Sequence, residues 1–90
     1  MLKVIDFWAP WCGPCKVMMP VLESLTNEYN KPDSEVEIIK VNADEDPDLC
    51  RKYNIRSIPT IIFEKNGEVV KTLSGVKPQS AITEIINQFR

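Results

Sequence analysis

The chain has 90 residues, of which 43% are hydrophobic, and it carries a formal net charge of −2 at pH 7 with three cysteines and no histidine. This length and composition suit a single globular domain, residues 1–90, and the small charge gives no electrostatic reason to expect nucleic-acid or membrane binding. Three cysteines without histidine argue against a disulfide scaffold and leave a zinc site short of its usual four ligands, so we expect no metal ion.

The first half of the chain predicts a strand, a helix and a second strand. Val4–Trp8 is a short apolar run typical of a central strand that is buried on both faces. Residues from Gly13 to Tyr29 predict a helix, because apolar side chains recur there at helical spacing. Those side chains are Met18, Val21, Leu22, Leu25 and Tyr29. A polar loop, Asn30–Ser34, precedes the second predicted strand, Glu35–Val41, which is rich in valine and isoleucine.

The second half predicts a short helix, a hairpin and a last helix. Asp46-Pro47-Asp48 is typical of a helix start, so a helix should run to Tyr53, with Asn54 as a left-handed stop. We attribute most of the acidic cluster Asp44–Asp48 to this capping. The predicted strands Thr60–Glu64 and Glu68–Leu73 flank Asn66-Gly67, a strong hairpin signal. The last helix should begin near Pro78 and bury one face, formed by Ile82, Ile85, Ile86 and Phe89.

These elements have the order βαβα-ββα and predict an α/β fold. Two strands joined through a helix should be parallel and have a right-handed crossover, and the hairpin should add antiparallel strands.

Trp11-Cys12-Gly13-Pro14-Cys15 lies where the first strand gives way to the first helix, and a Cys-x-x-Cys pair in that position indicates a redox dithiol. Residues three apart on a helix are neighbours, so the two thiols can form a disulfide. The unpaired N–H groups of the helix start favour a thiolate, which makes Cys12 the expected nucleophile. Gly13 would let a partner backbone approach, and Pro14 suits a first helical turn.

Asp6 is the one charged residue of the first predicted strand. One interpretation is a carboxylate that is half exposed or satisfied by hydrogen bonds. The other is a buried carboxylate whose pKa is raised by desolvation and which accepts a proton from Cys15.

The run from Asp6 to Lys16 resembles the active-site segment of the thioredoxin family almost residue for residue. Further matches follow in the order of that family: Pro20, Ile58-Pro59-Thr60, Lys65-Asn66-Gly67 and Gly75. The resemblance extends from Val4 to the end of the chain. Family members usually carry a strand and a helix before the segment that matches Val4–Trp8, and this sequence begins without them. Either the fold is a minimal form or the start of the sequence is misplaced.

The resemblance implies a thioredoxin-like fold with a four-stranded mixed sheet in the order 2-1-3-4, flanked by helices. Glu35–Val41 would then be an uncovered edge strand, prone to weak self-association of an otherwise monomeric protein.

The resemblance also implies a thiol–disulfide oxidoreductase that reduces protein disulfides without a cofactor other than its own Cys12–Cys15 pair. Cys12 would attack, Cys15 would resolve the mixed disulfide, and Asp6 would assist proton transfer with Lys40 as its charge partner. The expected partners are a thioredoxin-reductase-like electron donor and proteins that contain disulfides.

Target binding is expected around a cis Ile58-Pro59 bond, with the Ile58 backbone pairing with an extended peptide. Trp11, Pro59, Gly75 and Val76 should form an apolar rim. Trp8 is expected to pack beside the start of the helix. Cys50 is expected to be a small buried apolar side chain, with a regulatory or dimer-forming thiol as the alternative, and the family pattern implies no role for it.

Two other functional classes stay open on the residues alone. The chain could be a binding module whose cysteines are dispensable, or a protein that uses the cysteines for a metal. Met1-Leu2-Lys3 leads directly into a strand without the features of a signal peptide, so we expect a cytoplasmic location.

Overall fold

The computed structural model describes residues 1–90 and contains one four-stranded sheet with the strand order β2-β1-β3-β4. The strands are β1 (Leu2–Trp8), β2 (Val36–Asn42), β3 (Thr60–Lys65) and β4 (Glu68–Ser74). The helices are α1 (Gly13–Tyr29), α2 (Pro47–Lys52) and α3 (Gln79–Phe89). The predicted order of elements and the predicted strand order are both confirmed.

β1 is the centre of the sheet. It pairs in parallel with β2 and antiparallel with β3, so that Asp6 lies opposite Lys40 on one side and opposite Ile61 on the other. β1 begins at Leu2, two residues earlier than predicted, because Leu2 pairs with both Val36 and Lys65. Neighbouring strands and helices therefore enclose β1 on all sides.

Helices cover the two faces of the sheet and divide the core into two layers. The larger layer lies between the sheet and the helices α1 and α3. It includes Val4, Leu22, Ile38, Phe63 and Ile86. The smaller layer lies between α2 and the opposite face of the sheet. It includes Ile5, Phe7, Val41 and Ile62, and the side chains of Leu49, Cys50 and Tyr53 pack against them. Side chains alternate along a strand, so Asp6 shares the α1 face with Val4. None of the three helices combines the length and the apolar character that crossing a lipid bilayer requires.

The local signals in the sequence act as predicted. The Asp46 side chain accepts a hydrogen bond from the backbone N–H of Leu49 at 3.2 Å and so caps α2. Asn54 follows α2 with φ of 54°, in the left-handed region. Asn66 and Gly67 join β3 to β4 with φ of 53° and 84°. The commonest two-residue hairpin turn requires a positive φ at both of these positions.

The outer edge of the sheet differs from the expectation. β2 is an edge strand, as predicted, but its edge is not uncovered. The Asn30 side chain exchanges two hydrogen bonds with the backbone of Ile38, and the Ser34 hydroxyl exchanges two with the backbone of Val36. The loop that the sequence marked only as polar therefore covers part of this edge.

The hairpin turn yields a test of backbone strain. Gly67→Ala should lower the free energy of unfolding by about 1–2 kcal/mol, because a side chain at φ of 84° is sterically disfavoured. Urea denaturation measures the change.

Gly13→Ala is the matched control, since a Cβ at either glycine meets no atom within 4 Å and only Gly67 has a positive φ. Equal losses of stability in the two variants would contradict the assignment to backbone conformation.

Candidate active site

Cys12 and Cys15 form a disulfide at the junction of β1 and α1, with their Cα atoms 5.2 Å apart. Both residues are buried, with 4% and 2% of their surface exposed. Ala9 completes this small apolar cluster, and Trp8 and Ile58 pack against it. The cysteine pair indicated by the sequence is therefore a disulfide that lies just beneath the surface.

The sulfur of Cys12 caps the N-terminus of α1. Cys12 is the N-cap residue, and its Sγ accepts a hydrogen bond from the backbone N–H of Cys15 at 3.2 Å. Pro14 lies in the first turn and has no N–H that would compete for a partner. In the reduced protein the same N–H and the positive end of the helix dipole favour a thiolate on Cys12.

The segment before β3 lies next to this cluster. The Ile58-Pro59 peptide bond is cis, as the resemblance implied. The Pro59 carbonyl accepts a hydrogen bond from the Gly75 N–H at 2.9 Å, so the end of β4 lies beside Pro59. Gly75 and Val76 are exposed, whereas Pro59 is buried. Pro59 therefore underlies the predicted rim and adds little exposed surface to it.

Trp11 is the most exposed large apolar residue near the disulfide, with 68% of its surface accessible. Its indole Nε1–H donates to both carboxylate oxygens of Asp44, at 3.0 Å and 3.2 Å. The sequence did not predict this contact. Most of the cluster Asp44–Asp48 was attributed to helix capping, and the capping residue is Asp46, as predicted. No local pattern could have revealed the contact, because the two residues are 33 positions apart.

A shallow groove of about 350 Å³ runs from Trp11 toward the loop after α2. Its lining is Trp11, Ala43, Cys50, Ile55, Arg56, Ser57 and Ile58. Cys50 is half-buried and its thiol lies 4.0 Å from the Ala43 carbonyl oxygen. Cys50 packs against the smaller core layer, but it is less buried than expected and borders the groove.

Asp6 is buried in β1, with 5% of its surface exposed, and its Oδ1 atom has no hydrogen-bond partner. Desolvation raises the pKa of Asp6 to about 6, and the positive charge of Lys40 opposes part of that rise. The interpretation as a hydrogen-bonded or half-exposed carboxylate is therefore wrong, and the interpretation as a buried carboxyl with a raised pKa is supported. Asp6 lies on the face covered by α1, the helix whose first turn contains Cys15.

Lys40 lies opposite Asp6 in the sheet register, and its side chain is exposed. The two side chains form no ion pair, since the one salt bridge of the protein joins Arg51 to Asp48. Lys40 therefore acts on Asp6 through its field rather than through contact.

No three or more cysteine, aspartate or glutamate side chains are grouped in a way that could hold a metal ion. What the site offers chemically is a disulfide capped by a helix, a buried carboxyl and an exposed apolar surface around them.

Comparisons with known proteins agree with this geometry. The Thioredoxin family model matches residues 1–88. The thioredoxin of Bacillus subtilis is 47% identical over 83 residues, which cover 92% of this chain and 77% of that protein. The chloroplastic M-type thioredoxin of Spinacia oleracea is 45% identical over 86 residues, and the matched segment spans 96% of this chain but only 46% of that protein.

Solved structures show the same likeness. The crystal structure of the thioredoxin NaTrxh from Nicotiana alata superposes with a TM-score of 0.87 at 32% identity, over 99% of this chain and 73% of the other. The likeness thus extends to both the family model and the fold over nearly the whole chain. This chain belongs to the thioredoxin family of thiol–disulfide oxidoreductases.

Proposed function

We propose that residues 1–90 act as one domain that reduces disulfides in other proteins by dithiol–disulfide exchange. The observation that carries this proposal is the Cys12–Cys15 disulfide at the N-terminus of α1, where the sulfur of Cys12 accepts a helix N–H. A purely structural disulfide would gain nothing from this placement, whereas a nucleophilic thiolate is stabilised by it.

The reaction begins with the Cys12 thiolate of the reduced protein. It attacks one sulfur of the target disulfide, forms a mixed disulfide with it, and releases the other target sulfur as a thiolate. Cys12 lies at the helix N-cap, which supports its assignment as the attacking group.

The second step completes the two-electron reduction of the target. Cys15 loses its proton to the Asp6 carboxylate and attacks the Cys12 sulfur, which breaks the mixed disulfide. The second target sulfur leaves as a thiolate, and Cys12 and Cys15 remain joined as a disulfide. A carboxyl with a pKa of about 6 suits this task, since it is mostly ionised near neutral pH yet a stronger base than an exposed aspartate. Lys40 would help to keep Asp6 ionised between turnovers.

Targets would dock on the surface around Cys12. Trp11 and Val76 supply exposed apolar contact area there, with 68% and 48% of their surfaces accessible. Gly13 and Pro14 are exposed in the first turn of α1, and no side chain projects from Gly13 to block an approaching chain. The Ile58 backbone would pair with an extended target segment, with Pro59 and Gly75 supporting it from below and beside.

The cycle needs an external electron source, because each turnover leaves the protein oxidised. We assign this role to a thioredoxin-reductase-like enzyme. The cytoplasm is the proposed location, since a dithiol reductant requires a reducing compartment and the Bacillus relative is named as a thioredoxin.

Ionised Asp6 imposes a cost on the fold. The pKa of Asp6 rises from an ordinary value of 3.8 to about 6, so its ionised form disfavours the folded state by ~3 kcal/mol at high pH. An apolar residue in β1 would avoid this cost. The presence of the carboxyl at this position supports a chemical role for it.

Cys15→Ser should trap the mixed disulfide. Without the resolving thiol, Cys12 stays bound to its target, and non-reducing electrophoresis with mass spectrometry should show a stable 1:1 adduct with a disulfide-containing substrate protein. Cys12→Ser is the matched control and should give no adduct of this kind. If Cys15→Ser accumulates no adduct, the assignment of the two cysteines fails.

Asp6→Asn should slow the second step selectively. Loss of the proton acceptor should reduce the rate of mixed-disulfide resolution at pH 7 by about 100-fold, the usual contribution of a general base. Stopped-flow tryptophan fluorescence separates this phase from the formation of the adduct, which should keep its rate. An unchanged resolution phase would remove Asp6 from the mechanism.

Asp6→Asn should also stabilise the oxidised protein in a pH-dependent way. Between pH 4 and 6 the folded wild type binds more protons at Asp6 than the unfolded chain, so its stability falls as the pH rises. The variant lacks this titration, and its advantage should grow from near zero below pH 4 to ~3 kcal/mol at pH 8. Urea unfolding at both pH values measures it.

Asp33→Asn controls for the loss of one negative charge, since Asp33 is exposed in the loop before β2. An advantage of Asp6→Asn that is the same at pH 4 and pH 8 would contradict the assignment of the pKa shift.

A further inference from the structure

The hydrogen bonds at the ends of β2 show which of its backbone groups face outward. Leu2 donates to the Glu35 carbonyl at 2.8 Å, and Ala43 donates to the Trp8 carbonyl at 2.7 Å. Backbone groups alternate in direction along a strand, so the odd-numbered residues of β2 bond to β1. The even-numbered residues therefore direct their N–H and C=O groups away from the sheet. These are Val36, Ile38, Lys40 and Asn42.

The Asn30 side chain occupies the position of a partner strand at Ile38. Its Oδ1 accepts from the Ile38 N–H at 2.7 Å, and its Nδ2 donates to the Ile38 carbonyl at 3.0 Å. A primary amide presents one donor and one acceptor side by side, as a backbone peptide group of a neighbouring strand would. The Asn30 backbone N–H bonds to Thr26 at the end of α1, which anchors the residue.

Two further contacts continue this cover along the edge. The Ser34 hydroxyl accepts from the Val36 N–H at 3.1 Å and donates to the Val36 carbonyl at 2.9 Å. At the other end, the Asn42 carbonyl accepts from the N–H groups of Glu45 and Asp46, at 3.0 Å and 3.1 Å. Lys40 is left as the outward-facing residue whose backbone has neither kind of partner.

The composition of β2 explains why an open edge would matter. Four of its seven residues are valine or isoleucine, the residue types that pair most readily as strands. An edge strand of this kind with free N–H and C=O groups is a template for another strand. A second copy of the chain offers the same edge, so two copies can pair around a two-fold axis without any other protein.

We propose that Asn30 and Ser34 close the outer edge of β2 against strand addition, and that removing their side-chain contacts lets a second copy of the chain pair there. The closure acts through hydrogen bonds that the loop makes to the edge, not through bulk. It keeps the protein monomeric and leaves the surface around the disulfide as its contact surface for other proteins.

The test compares wild type with the variant that combines Asn30→Ala and Ser34→Ala. Sedimentation velocity should show a wild-type monomer up to about 1 mM, whereas the variant should form a dimer with increasing concentration. Hydrogen exchange should show the Ile38 amide of the wild type at least about tenfold slower than the Lys40 amide. In the variant this protection should disappear at low concentration and return as the dimer forms.

Asn27→Ala is the matched control. Asn27 lies in the last turn of α1, the helix that Asn30 caps, and its exposed side chain makes no hydrogen bond. It should remain monomeric. Asn30→Asp can accept from Ile38 N–H but cannot donate to its carbonyl, so it should open the edge in part and dimerise more weakly than the double variant.

Three results would overturn the proposal. The first is a double variant that stays monomeric over the whole concentration range. The second is a wild type whose Ile38 amide exchanges as fast as that of Lys40. The third is a wild type that already dimerises through β2. Because the second and third use the unaltered protein, a failure of the double variant to fold does not prevent a decision.

Discussion

The enclosure of β1 is the constraint on which the rest of this structure depends. β1 pairs with β2 and β3, and helices pack on both of its faces, so the residues from Val4 to Phe7 are buried. Because β1 is enclosed on all sides, the position of its last residue, Trp8, is well defined. The segment that contains the disulfide follows Trp8 directly. The position of Cys12 is therefore set by the buried central strand of the sheet, and a fixed position favours the alignment that a displacement at sulfur needs.

The same enclosure gives Asp6 its chemical character. An aspartate at the surface would be a weak base, but within β1 it loses water and gains no hydrogen bond at Oδ1. Its pKa rises because of this, and Lys40 limits the rise through its charge alone. The cost in stability and the proposed role in proton transfer have one physical origin, the burial of the carboxyl, so neither can be removed without the other. A buried carboxyl with a raised pKa lowers the stability of the fold, and such groups are typical of functional sites.

The surface divides into two parts with opposite properties. Around the disulfide, Trp11 and Val76 remain exposed, and Asp44 holds the Trp11 indole through its Nε1–H. At the outer edge of β2, Asn30 and Ser34 form hydrogen bonds with the backbone of Ile38 and Val36. Apolar contact area is thus exposed near the disulfide, whereas backbone groups at the outer edge of β2 already have hydrogen-bond partners.

The sequence by itself determined the elements whose signals are local. The Asn66-Gly67 turn, the Asp46 cap and the helical repeat from Met18 to Tyr29 each depend on residues within one or two turns of the chain. Resemblance to the family then supplied what local pattern could not, including the strand order and the cis bond at Pro59. The tertiary structure alone decided the contacts between residues distant in sequence: Trp11 with Asp44, Asn30 with Ile38, and the depth at which Asp6 is buried. Local pattern cannot specify such contacts, because a hydrogen bond across 33 residues or the loss of water from a carboxyl depends on how separate elements pack.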